Sequence, residues 1–199
     1  MLSVTDFRTL CRDEDSPEIV DKVLLSFGAE HVTEDDRQHI LASIANKFAL
    51  PHDRIFVWIV GSAKLGFSIS EKKLKDRKGT TLKRYRPFSG GSDIDVAVVS
   101  PCLFRIMWDE LSTYAHGKPY IPWNSQKLGD YFVYGWLRPD HFPRGPSVRL
   151  CNDWWDIFHY LSKDTRFDYR KVRGGLFYSL NDLKRYLKRS VDECIAFET

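Results

Sequence analysis

Ile55-Phe56-Val57-Trp58-Ile59-Val60-Gly61-Ser62 and Ser92-Asp93-Ile94-Asp95-Val96-Ala97-Val98-Val99 are the stretches that decide the reading of this chain. The first opens with a continuous apolar run, rich in β-branched and aromatic residues and of strand length. It predicts a strand buried on both faces, broken by a turn at Gly61-Ser62. The second predicts a strand whose apolar latter half places it at the centre of a sheet. Side chains two apart on a strand share a face about 6–7 Å apart, so Asp93 and Asp95 project together. Two carboxylates on one face repel unless a cation sits between them. Oxygen-only ligands select a hard ion, Mg²⁺ or Mn²⁺, which suits phosphate oxygens. The Gly61-Ser62 turn offers backbone N–H groups and a hydroxyl, the chemistry of an anion site.

Residues 1 to 54 read as helical on either side of Gly28. Ser16-Pro17 marks one helix start, and Ile19, Val23, Leu24 and Phe27 follow at helical spacing. Thr33 opens another, with Glu34, Asp35 and Asp36 in its first turn and Ile40, Leu41, Ile44 and Phe48 as its buried stripe. No linker composition separates these helices from the first strand, so they are expected to pack on the core. Residues 55–199 then alternate strand and helix signals: helices over 103–114, 153–161 and 181–196, strands over 131–137 and 171–178. The predicted fold class is α+β, a mixed sheet flanked by helices with a helical N-terminal extension. Within it, residues 69–91 form a basic insertion, in which Lys72, Lys73, Lys75, Arg77, Lys78, Lys83, Arg84 and Arg86 face only Glu71 and Asp76. Such runs are solvated loops or phosphate-contacting segments.

The 199 residues suit one domain, and 43% hydrophobic and 14% aromatic content can bury a core. No run approaches the roughly 18–20 apolar residues of a membrane span. The N-terminus lacks a basic region followed by an apolar stretch, so a cytoplasmic protein without membrane partners is expected. Thirty Lys and Arg against 27 Asp and Glu leave a net charge of +3, far from a globally basic nucleic-acid binder. Cys11, Cys102, Cys151 and Cys194 include no C-x-x-C, and the six histidines no H-x-x-x-H pair, which argues against zinc sites and a disulfide framework. Trp154-Trp155 read as core before they read as base-stacking platforms. Val172-Arg173-Gly174-Gly175 reads equally as a bulged strand or a substrate-side turn.

Gly61-Ser62-x-x-x-Gly66 after an apolar strand, then Ser92-Asp93-x-Asp95 on the next, resembles the DNA polymerase β-type nucleotidyltransferase superfamily. Minimal nucleotidyltransferases of toxin–antitoxin pairs and antiphage-defence synthases are similar to it. The resemblance covers residues 55 to 100, with 69–91 as an insertion. It implies a nucleotidyltransferase-like sheet and transfer of a nucleoside monophosphate from an NTP to a hydroxyl on a protein or RNA. Asp93 and Asp95 would hold Mg²⁺ or Mn²⁺, while Gly61, Ser62, Lys64 and Ser92 would bind nucleotide. A third carboxylate would come from a later strand; Phe167-Asp168-Tyr169 fits that pattern, with Asp140 and Asp130 as rivals. The other implied reading is a non-catalytic module of the same fold that binds nucleotide, RNA or a partner protein.

Overall fold

In the computed structural model, which describes residues 2–26, 28–73, 79–120, 125–138 and 141–199, a mixed sheet organises an α+β chain. Its strands are β1 (Phe56–Val60), β6 (Ile94–Val99), β8 (Val172–Phe177) and β7 (Trp136–Leu137), in the order β1-β6-β8-β7. β6 pairs antiparallel with β1 and parallel with β8, and β7 closes the other edge antiparallel to β8. The apolar second half of β6 is buried on both faces, as an interior strand requires. β1 is different. It is an edge strand, and its buried residues Val57 and Ile59 alternate with Phe56, 51% exposed, and the half-buried Trp58 and Val60. An unbroken apolar run fits a strand packed on both faces, but it also fits an edge strand whose second face is only partly covered.

Helices cover both faces. On one lie α3 (Glu34–Phe48), α5 (Pro101–His116) and α7 (Arg149–Leu161), burying Ile40, Ile44, Met107 and Trp154 against Ile94, Val96 and Val98. On the other lie α1 (Val4–Asp13), α2 (Ser16–Ile19), which continues as a π-helical turn Val20–Leu24, and α8 (Leu180–Glu198). These bury Phe7, Ile19, Leu183 and Val191 against Ala97, Val99 and Phe177. The N-terminal helices thus pack on both sides of the sheet. Thr33 caps α3 in a reciprocal box with Asp36, while α2 is capped by Asp15 with Ser16-Pro17 in its first turn. The N-terminus of α7 has a long-range cap: the Glu110 carboxylate accepts from Leu150 and Cys151 N–H at 2.8 and 3.0 Å.

Residues 131–137, expected as one strand, divide between α6 (Ser125–Val133) and the short β7. Leu128, Tyr131 and Phe132 recur at helical spacing, and Phe132 stacks on Trp108 at 4.2 Å. Gly135 turns the chain at φ +66°, where a Cβ would lie 2.4 Å from the Asp182 carboxyl carbon. Residues 172–175 are regular strand, neither bulge nor turn. Gly174 is required by Phe158, whose ring occupies the space a Cβ would take. The basic insertion folds as nested hairpins: β2 (Phe67–Ser68) pairs with β5 (Arg86–Pro87), and β3 (Lys72–Lys73) with β4 (Thr81–Leu82). Cys11, Cys151 and Cys194 are buried free thiols and Cys102 is half-buried. No helix among the described residues is long and apolar enough to cross a membrane.

Candidate functional site

Strand register assembles the site. Asp95 stands opposite Val60, the last residue of β1, and opposite Arg173 on β8. Gly61 leaves β1 at φ +67°, ψ −148°, a backbone that L side chains rarely adopt. A Cβ there would lie 3.1 Å from Asp95 Oδ2, so the glycine also lets the turn approach that carboxylate. Ser62 then opens α4 (Ser62–Leu65), a single helical turn ended by Gly66 at φ +82°. The first strand, its turn and the acidic strand therefore meet at Asp95.

The Asp95 carboxyl is pushed up to about 6, first by burial and then by the charge of Asp93; Arg173 and Lys72 oppose the shift. It accepts no hydrogen bond from any described residue. Asp93 is instead engaged: Arg173 Nη2 lies 2.9 Å from its Oδ2. Register partners on parallel strands point to the same face, which is why an arginine beside Asp95 also reaches Asp93. Tyr186 of α8 lies close enough to Asp95 that burial and then the Asp95 charge raise its hydroxyl, with Arg138 working against them. Tyr186 packs on Trp136 at 4.6 Å, and the Arg138 guanidinium lies over the rings of Tyr131 and Trp136. Asp95 thus has Tyr186 on one side and, behind it, the Trp136–Arg138 stack.

Two proposed nucleotide contacts have other work. Lys64 is buried, and its ammonium donates to the Ser26 carbonyl at 2.6 Å, to Ser26 Oγ at 3.2 Å and to the Gly28 carbonyl. Burial lowers its pKa. Two residues on from Ser62 is a rotation of about 200° on a helix, so the two side chains diverge. Ser92 Oγ accepts from Ser89 N–H at 3.0 Å and shapes the loop entering β6. Among the third-carboxylate candidates, Asp168 is exposed at φ +51° and Asp130 is exposed on α6. Asp140 lies outside the described residues. Among the described residues no three His, Cys, Asp or Glu side chains gather as a metal cluster.

The basic insertion serves two ends. Arg84 donates to the Ile69 carbonyl at 2.9 Å and pairs with Glu193, and Arg86 donates to the carbonyls of Ser70, Leu82 and Lys83. Lys72, Lys73 and Lys83 are exposed, and Lys72 is near enough to stabilise charged Asp95. Lys75, Arg77 and Lys78 lie outside the described residues. On α8, Lys184 and Lys188 form ion pairs with Asp21 and Asp192. Trp154 is core. Sequence reasoning missed Tyr186 and its neighbour Arg138, and placed Arg173 only within a bulged strand or substrate-side turn; strand register brings Arg173, and helix packing Tyr186, to the carboxylates.

Two carboxylates share one face, and Asp95, which accepts no hydrogen bond from any described residue and is raised first by burial and then by the charge of Asp93, could with Asp93 hold one hard cation. Such an ion would draw its remaining ligands from water or phosphate. Comparison with protein-family models, curated proteins and solved structures yields no match.

Proposed function

We propose that this chain is a metal-dependent nucleotidyltransferase that passes a nucleoside monophosphate from an NTP to a hydroxyl on a protein or RNA. The observation that carries the reading is the contact between the Gly61 turn and Asp95, where a Cβ would meet Oδ2 at 3.1 Å. That approach sets a phosphate-compatible turn beside the Asp93–Asp95 pair. Asp93 and Asp95 would hold Mg²⁺ or Mn²⁺; when bound, the ion neutralises charge on the phosphates during transfer. Gly61 and Ser62 would position the triphosphate, and Lys72 and Arg138 would add positive potential around it. Lys64 and Ser92 shape the surrounding backbone. A cytoplasmic toxin–antitoxin or phage-defence role, with a partner protein, agrees with this chemistry.

A second reading has its own support: Arg173 pairs with Asp93 from the neighbouring strand. It is a module of the same kind that binds a metal–nucleotide complex without transferring it. Incubation with each α-³²P NTP, Mn²⁺ and cell extract separates the two. Transfer labels a protein or RNA, and Asp93→Asn or Asp95→Asn lowers the signal at least about a hundredfold. A chain that binds NTP but labels nothing is the module. Equal labelling by wild type and both variants removes the carboxylates from the chemistry.

A further inference from the structure

We infer that Arg173 takes the place of a second metal ion, so that the site binds an NTP with one divalent cation and one guanidinium. The inference rests on the metal–nucleotide reading above. Its basis is the neighbourhood of Asp93 and Asp95. Two-metal sites set their ions about 3.5–4 Å apart, and among the described residues no third carboxylate joins this pair. On the face shared by Asp93 and Asp95, the adjacent position of β8 carries Arg173. Its Nη2 sits 2.9 Å from Asp93 Oδ2, where it occupies that oxygen and places a fixed positive charge where a second cation would approach. Asp95 keeps both oxygens free of hydrogen bonds from described residues, so the open half of the pair is the half left for an ion.

Arginine suits the exchange. Its guanidinium stays charged at any working pH, and its planar fork of five donors matches phosphate oxygens. The Arg173 side chain is 52% exposed, so it can hold Asp93 through one nitrogen and offer the others to a ligand. The strand fixes the backbone from which Arg173 projects. On either side of it the side chains of Val172 and Phe177 are buried, and the two glycines at 174 and 175 are filled by Phe158 and the Trp136 indole. Lys72, exposed on the hairpin, adds a second positive charge acting on Asp95. The ligand implied is a nucleoside triphosphate whose negative charge is shared between one metal ion and these side chains.

Counting ions tests this without reference to activity. The full chain is mixed with Mn²⁺ and each of the four non-hydrolysable NTP analogues, and protein-bound Mn²⁺ is counted by electron paramagnetic resonance after ultrafiltration. One ion per wild-type chain is expected, falling towards none in Asp95→Asn. Arg173→Asp, folded by circular dichroism, should bind two. Arg173→Asn should still bind one while holding the analogue about tenfold more weakly, the loss of a charge-assisted contact to phosphate. Two ions on the wild type overturn the inference and leave the nucleotide reading standing. No ion with any analogue overturns both. A folded Arg173→Asp that holds a single ion, or unchanged analogue affinity in Arg173→Asn, shows that Arg173 is not the second cation.

Discussion

The two neighbours of β6 stand in contrast. On the β1 side the pairing is antiparallel, the connection runs through one insertion, and Gly61 lies against Asp95. On the β8 side the pairing is parallel, the connection runs through three helices, and a cation rather than an anion comes up beside the pair. One side of the pair is therefore a glycine turn set against a carboxylate, and the other side already supplies positive charge. The same carboxylates lie beside a turn that favours glycine at 61 and a strand that presents Arg173. On the proposed reading, the D-x-D pattern would set where a cation goes, while its neighbours would set how many.

The largest effect should come from the β1 side. Gly61→Val asks a β-branched residue to adopt φ +67° and drives its Cβ towards Asp95 Oδ2. Backbone strain and displacement of the carboxylate together should cost about 2–4 kcal/mol of stability. Urea titration should show the loss, and calorimetry should show nucleotide binding at least about tenfold weaker. A stable variant with unchanged nucleotide affinity would make this turn an ordinary connection.

The β8 side should be less sensitive, and through packing rather than chemistry. Gly174→Ala puts a methyl where Phe158 now lies, on the face opposite the carboxylates, so the ring must shift within a filled core. About 1–3 kcal/mol of destabilisation is expected, with the number of bound Mn²⁺ ions unchanged. A change in ion count would show that the two faces of β8 are coupled.

Asp95 gives the third test, by its effect on stability in metal-free buffer. Its carboxyl is raised to about 6 in the fold, against an ordinary value near 3.8. The native state therefore holds this proton more tightly than the unfolded chain does. That contribution is present at low pH and is lost as pH rises from about 4 through 6, above which the charged carboxylate is a cost. Asp95→Asn removes the cost. It should stabilise the protein by about 1–2 kcal/mol at pH 7.5, allowing for solvent screening, with the gain fading between pH 6 and pH 4. Thermal melts in EDTA across that range would read it directly. A gain independent of pH would place its origin elsewhere.

How much of this was legible tracks the same contrast. The β1 turn and the D-x-D strand carry their information in adjacent residues, through apolar runs, a Gly-Ser break and period two. The mixed α+β class and the helix starts at Thr33 and near Ser16 were legible for the same local reason. Arg173 was not, because its role depends on the register between two strands far apart in the chain. The same holds for Glu110, which caps a helix from another helix. At Tyr131 two periodicities competed, and packing of Phe132 on Trp108 decided for helix. For Lys64 the motif indicated the neighbourhood, but helical rotation took the ammonium to carbonyls instead.

The smallest effect should come from the insertion, and it sharpens the comparison because one basic stretch serves both structure and site. Arg84 and Arg86 hold the hairpin to backbone carbonyls and to α8, so alanine at either should lower stability by about 1–2 kcal/mol. The side chains of the exposed lysines make no hydrogen bond or ion pair to any described residue. Replacing Lys72, Lys73 and Lys83 together by alanine should leave the melting temperature unchanged. Lys72 already acts on Asp95 from the hairpin, so the triple variant should weaken triphosphate binding about three- to tenfold, less than Gly61→Val. If the lysines served an RNA backbone instead, nucleotide affinity would hold and the salt dependence of RNA binding would flatten. If the hairpin were only a solvated loop, both measurements would stay where they were. A drop in nucleotide affinity with an unchanged RNA salt slope would place the hairpin's lysines with Arg173, on the cationic side of a site whose anionic side is β6.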